Sequence, residues 1–191
     1  MLHTLVFAAL STLSLVAGPR VLLDGSRPAH VKVNASTLLG VPGIAYEVAV
    51  NDHLSFNVDA TASLWRSIDH APYLFVMVLP EWQLHARPGR LGYYAGVHSG
   101  LTVYRLQKWN YRGTRKYQQG YSTLIGVSVG YKRVLRDRWL LDAFVGGGNQ
   151  FGRYRGYDGA TGEQYTGFDE LDESREWLPY RLGLMFSYRV R

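Results

Sequence analysis

Residues 53–65, HLSFNVDATASLW, alternate polar and apolar without a break: Leu54, Phe56, Val58, Ala60, Ala62 and Leu64 on one side, Ser55, Asn57, Asp59, Thr61 and Ser63 on the other. A period of two belongs to a β-strand. The segment is longer than the roughly 9–11 residues a tilted strand needs to cross a bilayer. The same alternation recurs over Val31–Thr37, Ile44–Val50, Tyr73–Leu84, Leu91–Val103, Ile125–Tyr131, Leu141–Gly146 and Leu178–Val190. These stretches predict eight strands, about the smallest even number that closes a membrane-spanning barrel.

The connections differ in length. Asn51-Asp52, Arg87–Gly89 and Leu135–Arg138 read as tight turns, whereas Arg66–Pro72, Arg105–Gln119 and Gln150–Glu176 are longer, with Leu39–Gly43 a short exception. Alternating short and long connections place tight turns on one rim and loops on the other, the asymmetry of an outer-membrane barrel with both termini periplasmic and long loops extracellular. The predicted fold is therefore all-β, an eight-stranded antiparallel up-and-down transmembrane β-barrel.

The two faces decide which way the strands point. One face is small and nearly uncharged, carrying Gly92, Gly96, Gly100, Ser122, Gly126, Ser128, Gly130, Gly146, Gly148 and Gly183. Small residues suit a crowded lumen, so the apolar face is expected to meet lipid. Val58, Val97, Val127, Leu141 and Leu184 then point outward, and Asn57, His98, Ser128, Asp142 and Gly183 inward. Trp65, Tyr73, Tyr104, Tyr131, Trp139, Trp177 and Tyr188 are candidates for aromatic girdles near the strand ends. The inward charges are few: Glu81, Lys132, Asp142, Arg181 and Arg189, with His98 beside them. Charges in so narrow a space are costly unless paired. Glu81, His98, Lys132, Asp142 and Arg181 are accordingly expected to form a lumen charge network, with Lys132 and Asp142 hydrogen-bonded across neighbouring strands.

Composition agrees with one β domain and adds a leader. The 191 residues are 47% hydrophobic and 19% charged, and after the N-terminus no apolar run approaches the ~18 residues of a membrane helix. Leu5–Ala17 has the length and apolarity of a secretory signal core, although no Lys or Arg precedes it. The expected organisation is a signal peptide over 1–17, a lead over 18–30 and the barrel over 31–191. The absence of cysteine excludes disulfides, thiolate metal sites and a lipid-anchor cysteine.

Five blocks carry a family resemblance: Leu79-Pro80-Glu81-Trp82-Gln83-Leu84, Gly96-Val97-His98, Ile125 through Tyr131, Arg138 through Ala143, and Pro179-Tyr180-Arg181-Leu182-Gly183. Over roughly residues 31–191 the chain resembles a Bacteroidetes-type family of outer-membrane β-barrel proteins known only as a domain of unknown function. The resemblance implies architecture and location, and supplies no reaction, ligand or catalytic residue. The chain departs from the family pattern at its C-terminus, which ends Tyr188-Arg189-Val190-Arg191 rather than on an apolar or aromatic residue.

Candidate chemistry lies mostly in the loops. Arg105–Gln119 interleaves Arg105, Lys108, Arg112, Arg115 and Lys116 with Trp109, Tyr111 and Tyr117. Above an outer membrane the nearest phosphates belong to lipopolysaccharide, so lipid or a protein partner is expected there and nucleic acid is not. Gln150–Glu176 opposes that charge with seven carboxylates against Arg153, Arg155 and Arg175, and the two loops have the charge to pair with each other. The carboxylates lack EF-hand spacing, and no metal or cofactor is expected. His98-Ser99 invites comparison with lipid-modifying hydrolases, but alternation sends the two side chains to opposite faces. The reading is a non-enzymatic outer-membrane barrel, an anchor or accessory subunit whose loops contact lipopolysaccharide or a protein. The alternatives are a lipid A-modifying barrel enzyme and a soluble ligand-binding β-barrel.

Overall fold

The computed structural model describes residues 27–68, 71–108, 111–168 and 170–190. The predicted signal peptide, most of the lead and Trp109 lie outside the described residues. Nine strands follow in order: β1 (Ala29–Asn34), β2 (Gly43–Ala49), β3 (Leu54–Ile68), β4 (Ala71–Arg87), β5 (Leu91–Leu106), β6 (Lys116–Arg136), β7 (Trp139–Asp158), β8 (Gln164–Thr166) and β9 (Asp172–Arg189). Each of β1 to β7 pairs antiparallel with the next, β7 pairs with β9, and β9 returns to β1. Eight strands thus form a closed antiparallel ring, with β8 a short ribbon on the far end of β7. No α-helix occurs among the described residues, and none of them forms a helix long and apolar enough to cross a membrane.

The period-two pattern becomes a sharp division of faces. Asn57, His98, Ser128 and Asp142 are buried inside the ring, whereas Val97, Val127 and Leu184 on the other face are exposed, and Val58 and Leu141 are half-buried. Exposed apolar side chains form a belt around the outside that includes Ile44, Val76, Val129, Val145, Leu182 and Phe186. A soluble barrel distributes its residues the other way, since water rewards a charged exterior and an apolar core.

Several boundaries differ from the expectation. The predicted strand over 31–37 stops at Asn34, because the Asn34 side chain accepts a hydrogen bond from Ser36 N (3.1 Å) and starts a 3-10 turn over Ala35–Leu39. Gly40 ends that turn at φ 75°, where a Cβ would also run into the Trp65 indole. Over the expected longer connection at 66–72 the strands continue, with Ile68 of β3 paired to Ala71 of β4. β6 and β7 pair from Arg136/Trp139 up to Lys116/Asp158, so Arg105, Lys116 and Tyr117 stand on strands rather than in a loop. The opposite rim keeps its tight turns: Asn51 Oδ1 accepts from the backbone of His53 and Leu54, and Asp137-Arg138 turns β6 into β7. Tyr104, expected in a girdle, points inward and is buried.

Candidate functional site

The interior of the ring is held by one polar network. Lys32 Nζ lies 2.7 Å from Asp142 Oδ2 and 2.5 Å from Glu47 Oε2. Lys132 Nζ donates to Glu47 Oε1 and to Gln83 Oε1, each at 2.6 Å. Gln83 Nε2 reaches Glu81 Oε2 at 2.5 Å, and Arg181 Nη2 donates to the same oxygen at 2.7 Å. The Tyr94 hydroxyl donates to Asp142 Oδ1 at 2.9 Å, and Asp59 stands 4.0 Å from Arg181. Read through, Tyr94, Asp142, Lys32, Glu47, Lys132, Gln83, Glu81, Arg181 and Asp59 touch all eight strands of the ring. Every one of these side chains is buried.

Small residues make the network possible. A Cβ at Gly96 would fall 2.5 Å from Glu81 Oε1 and 2.6 Å from Ser128 Oγ, and one at Gly130 would strike the Tyr94 ring. Rings complete the packing, with Lys132 Nζ 4.8 Å from the Tyr94 centroid and the Arg181 guanidinium 4.8 Å from that of Phe144. A register shift in β9 between its pairings to Gly146 and Gly148 brings Tyr180 inward beside Arg181. Tyr180 then meets His98 Nε2 through its hydroxyl at 2.9 Å.

All five residues expected in the lumen network are buried inside the ring, with one correction to their pairing. Lys132 and Asp142 stand opposite one another across β6 and β7, yet Lys132 is bonded to Glu47 and Gln83, and Asp142 to Lys32 and Tyr94. Sequence reasoning missed Lys32, Glu47, Asp59, Gln83 and Tyr94 as members. Alternation marks all five as inward, but it does not say which of them meet across the lumen.

Ser128, His98 and Glu81 do not stand in the order of a hydrolytic triad. Ser128 Oγ is hydrogen-bonded to Glu81, His98 Nδ1 lies 3.8 Å from that carboxylate, and His98 Nε2 is engaged by Tyr180. A hydroxyl is activated when histidine stands between it and the acid, and here the acid stands between serine and histidine. Beside Arg181 a cavity of about 130 Å³ is lined by Asn34, Ser36, Asp59, Thr61 and Tyr180. Val41, Phe75, Met77, Leu79, Phe144 and Leu182 complete its lining, so the cavity is mixed in character. No group of three or more His, Asp or Glu side chains with metal-site geometry occurs among the described residues.

At the long-loop rim the basic aromatic residues are largely tied to the protein itself. Lys108 Nζ contacts Glu176 Oε1 at 2.6 Å and Ser174 Oγ at 3.1 Å, joining the end of β5 to β9. Arg105 donates to the Tyr117 hydroxyl at 2.9 Å and covers its ring, and Tyr117 stacks on Tyr157 at 5.6 Å. Lys116 lies over Tyr165 at 4.9 Å, and Tyr111 meets the same ring edge-on at 6.1 Å. Arg112 and Arg115 are exposed on the connection between β5 and β6.

A closed ring of antiparallel strands with a charged interior and an apolar exterior thus defines the class of this protein. The model of the family described as "Protein of unknown function (DUF3575)" matches residues 5–190, and the chain belongs to that family. No match was found among curated proteins or among solved structures.

Proposed function

We propose that this chain is an eight-stranded transmembrane β-barrel of a bacterial outer membrane. In this reading it is a non-enzymatic anchor or accessory subunit whose extracellular end contacts lipopolysaccharide or a protein partner. One observation carries the reading: the ring is inverted in polarity. Its interior buries Lys32, Glu47, Glu81, Lys132, Asp142 and Arg181, while its exterior presents valine, leucine, isoleucine and phenylalanine. Exposed apolar surface on this scale is favourable in lipid and unfavourable in water. The belt has a suitable height. From Tyr131 to Tyr121 along β6, a rise of ~3.4 Å per residue and a tilt of about 40° give roughly 25 Å, the height of a barrel's apolar band. Aromatic pairs mark the tight-turn edge, with Tyr93 and Tyr131 at 4.8 Å and Trp139 and Tyr188 at 5.0 Å. Trp177 stands exposed on the outer face toward the other.

A structural role follows from the filled interior. An eight-stranded barrel is just wide enough for its own side chains, and here they form a cross-braced plug rather than a channel. The chain has no cysteine, so single cysteines report topology cleanly. Arg115→Cys is expected to react with a membrane-impermeant maleimide on intact cells, Arg90→Cys only after the outer membrane is opened, and Val127→Cys in neither case. Recovery of the chain in the soluble fraction, or aqueous labelling at position 127, overturns the reading.

A further inference from the structure

We propose that the outer wall where β7 and β9 leave the apolar belt is a binding site for the phosphate-bearing headgroup of an outer-leaflet glycolipid, held chiefly by Arg153 and Arg175. The inference rests on the membrane reading above and gives it a place of contact different from the loops. Alternation turns Arg105 on β5, Arg153 and Arg155 on β7, and Arg175 on β9 outward, and all four are exposed. Register makes them one patch. Arg105 and Arg155 flank Gln119, Arg153 stands between Tyr121 and Glu173, and Arg175 is opposite Phe151. Glu173 is the one carboxylate in these rows, which leaves an excess of three positive charges.

The site is shaped as well as charged. A depression of about 590 Å³ lies between the two principal arginines, walled by Tyr121, Phe151 and Glu173 and floored by Gly152. Arg175 is held with its guanidinium 5.1 Å from the Phe151 centroid. Arg153 is held by Glu173 at 3.0 Å, and both side chains of that pair are more than half exposed, at 58% and 74%. An exposed pair of this kind contributes little net energy, so a phosphate can share the guanidinium at small cost. A guanidinium fork matches phosphate oxygens in pairs, which favours phosphate over other anions.

The position selects a lipid. Toward the tight-turn rim the same face passes Ile125 and Trp177, on either side of Asn149, and becomes apolar at Val127 and Val145, so acyl chains beneath a bound headgroup would lie on the belt. The span selects a headgroup with more than one phosphate. Arg105 and Arg175 stand three strand spacings apart and four residues apart along the strands, roughly 20 Å in all, beyond the reach of a single phosphate.

The test uses the full chain purified in mild detergent, with bisphosphorylated lipid A as probe and native mass spectrometry or co-elution as readout. The expected result is at least a tenfold loss of retained lipid A in the double variant Arg153→Gln, Arg175→Gln, with a weaker salt dependence. Arg115→Ser, Lys116→Ser should retain the parent's binding, and monophosphorylated lipid A should bind the parent more weakly. Both variants should keep the parent's heat-modifiable migration, since neither touches the ladder or the interior. Equal binding by parent and wall variant overturns the proposal, as does loss confined to the loop variant. Equal retention of phosphatidylglycerol overturns the choice of a glycolipid. A parent chain that fails to insert into vesicles overturns the membrane reading itself, an outcome distinct from all of these.

Discussion

Lys32 shows how a single buried charge is made tolerable in this protein. Its ammonium is 1% exposed and lies against both Asp142 and Glu47, so the cost of desolvation is met by two close carboxylates. Such pairs reveal their importance when broken. Asp142→Ala leaves Lys32 with one carboxylate shared between two lysines and should cost about 3–5 kcal/mol, read as a lower thermal midpoint in detergent. Glu47→Ala should be at least as damaging, because Glu47 serves both Lys32 and Lys132. Replacing Lys132 and Glu47 together by Met and Leu should recover much of the loss, since Lys32 and Asp142 then remain a neutral pair. A double variant no more stable than Glu47→Ala would show that volume, not charge, governs the site. Gly96→Val belongs with these, for its side chain would enter the space that Glu81 and Ser128 share.

Strands convert these residue preferences into a wall with unequal sides. β6 and β7 run for 21 and 20 residues, whereas β1 and β2 have six and seven. The lower count follows from chemistry at the ends of β1 and β2, where Asn34 caps a 3-10 turn and Gly40 reverses the chain. On the long strands the outward face over the belt is largely apolar, with Thr123 and Asn149 as polar positions toward its long-loop edge. Val127→Arg should cost about 2–4 kcal/mol near the midplane, measured by reversible unfolding in lipid, and Gln119→Arg, beyond the belt, close to nothing. Comparable costs at both positions would remove the depth dependence that a bilayer imposes. The Lys108–Glu176 contact is a second test of element design. Glu176→Gln should loosen the β5–β6 connection, seen as faster amide exchange over residues 107–115, without changing the global midpoint.

The molecule as a whole depends on its surroundings for the inverted polarity to be stable. With the exterior belt in water, Val97, Val127, Val129, Leu182 and their neighbours would find each other on different copies. Dilution from detergent below its micelle concentration should therefore cause aggregation by light scattering, and dilution into vesicles should yield monomeric, protease-resistant protein. A chain that stays monomeric in plain buffer contradicts the proposed location. The wall arginines add an orientation to this picture, since Arg153 and Arg175 flank the belt on the long-loop side.

The eight strands of the ring, their antiparallel order and the two faces were legible in the amino acids, though short β8 was not, because a strand's side chains alternate with a strict period of two and Gly-rich and Pro-containing turns interrupt it visibly. The inward placement of Glu81, His98, Lys132, Asp142 and Arg181 followed from that period alone. Partnership did not. Lys32 and Asp142 are 110 residues apart and Glu81 and Arg181 are 100 apart, and they meet only because the ring closes with a particular stagger. Strand length was also under-read, since polar alternation in β6 and β7 beyond the belt carries no apolar face to announce it. Closure and stagger are properties of all eight strands together, so the cross-lumen network and the outer arginine patch were decided by the tertiary structure.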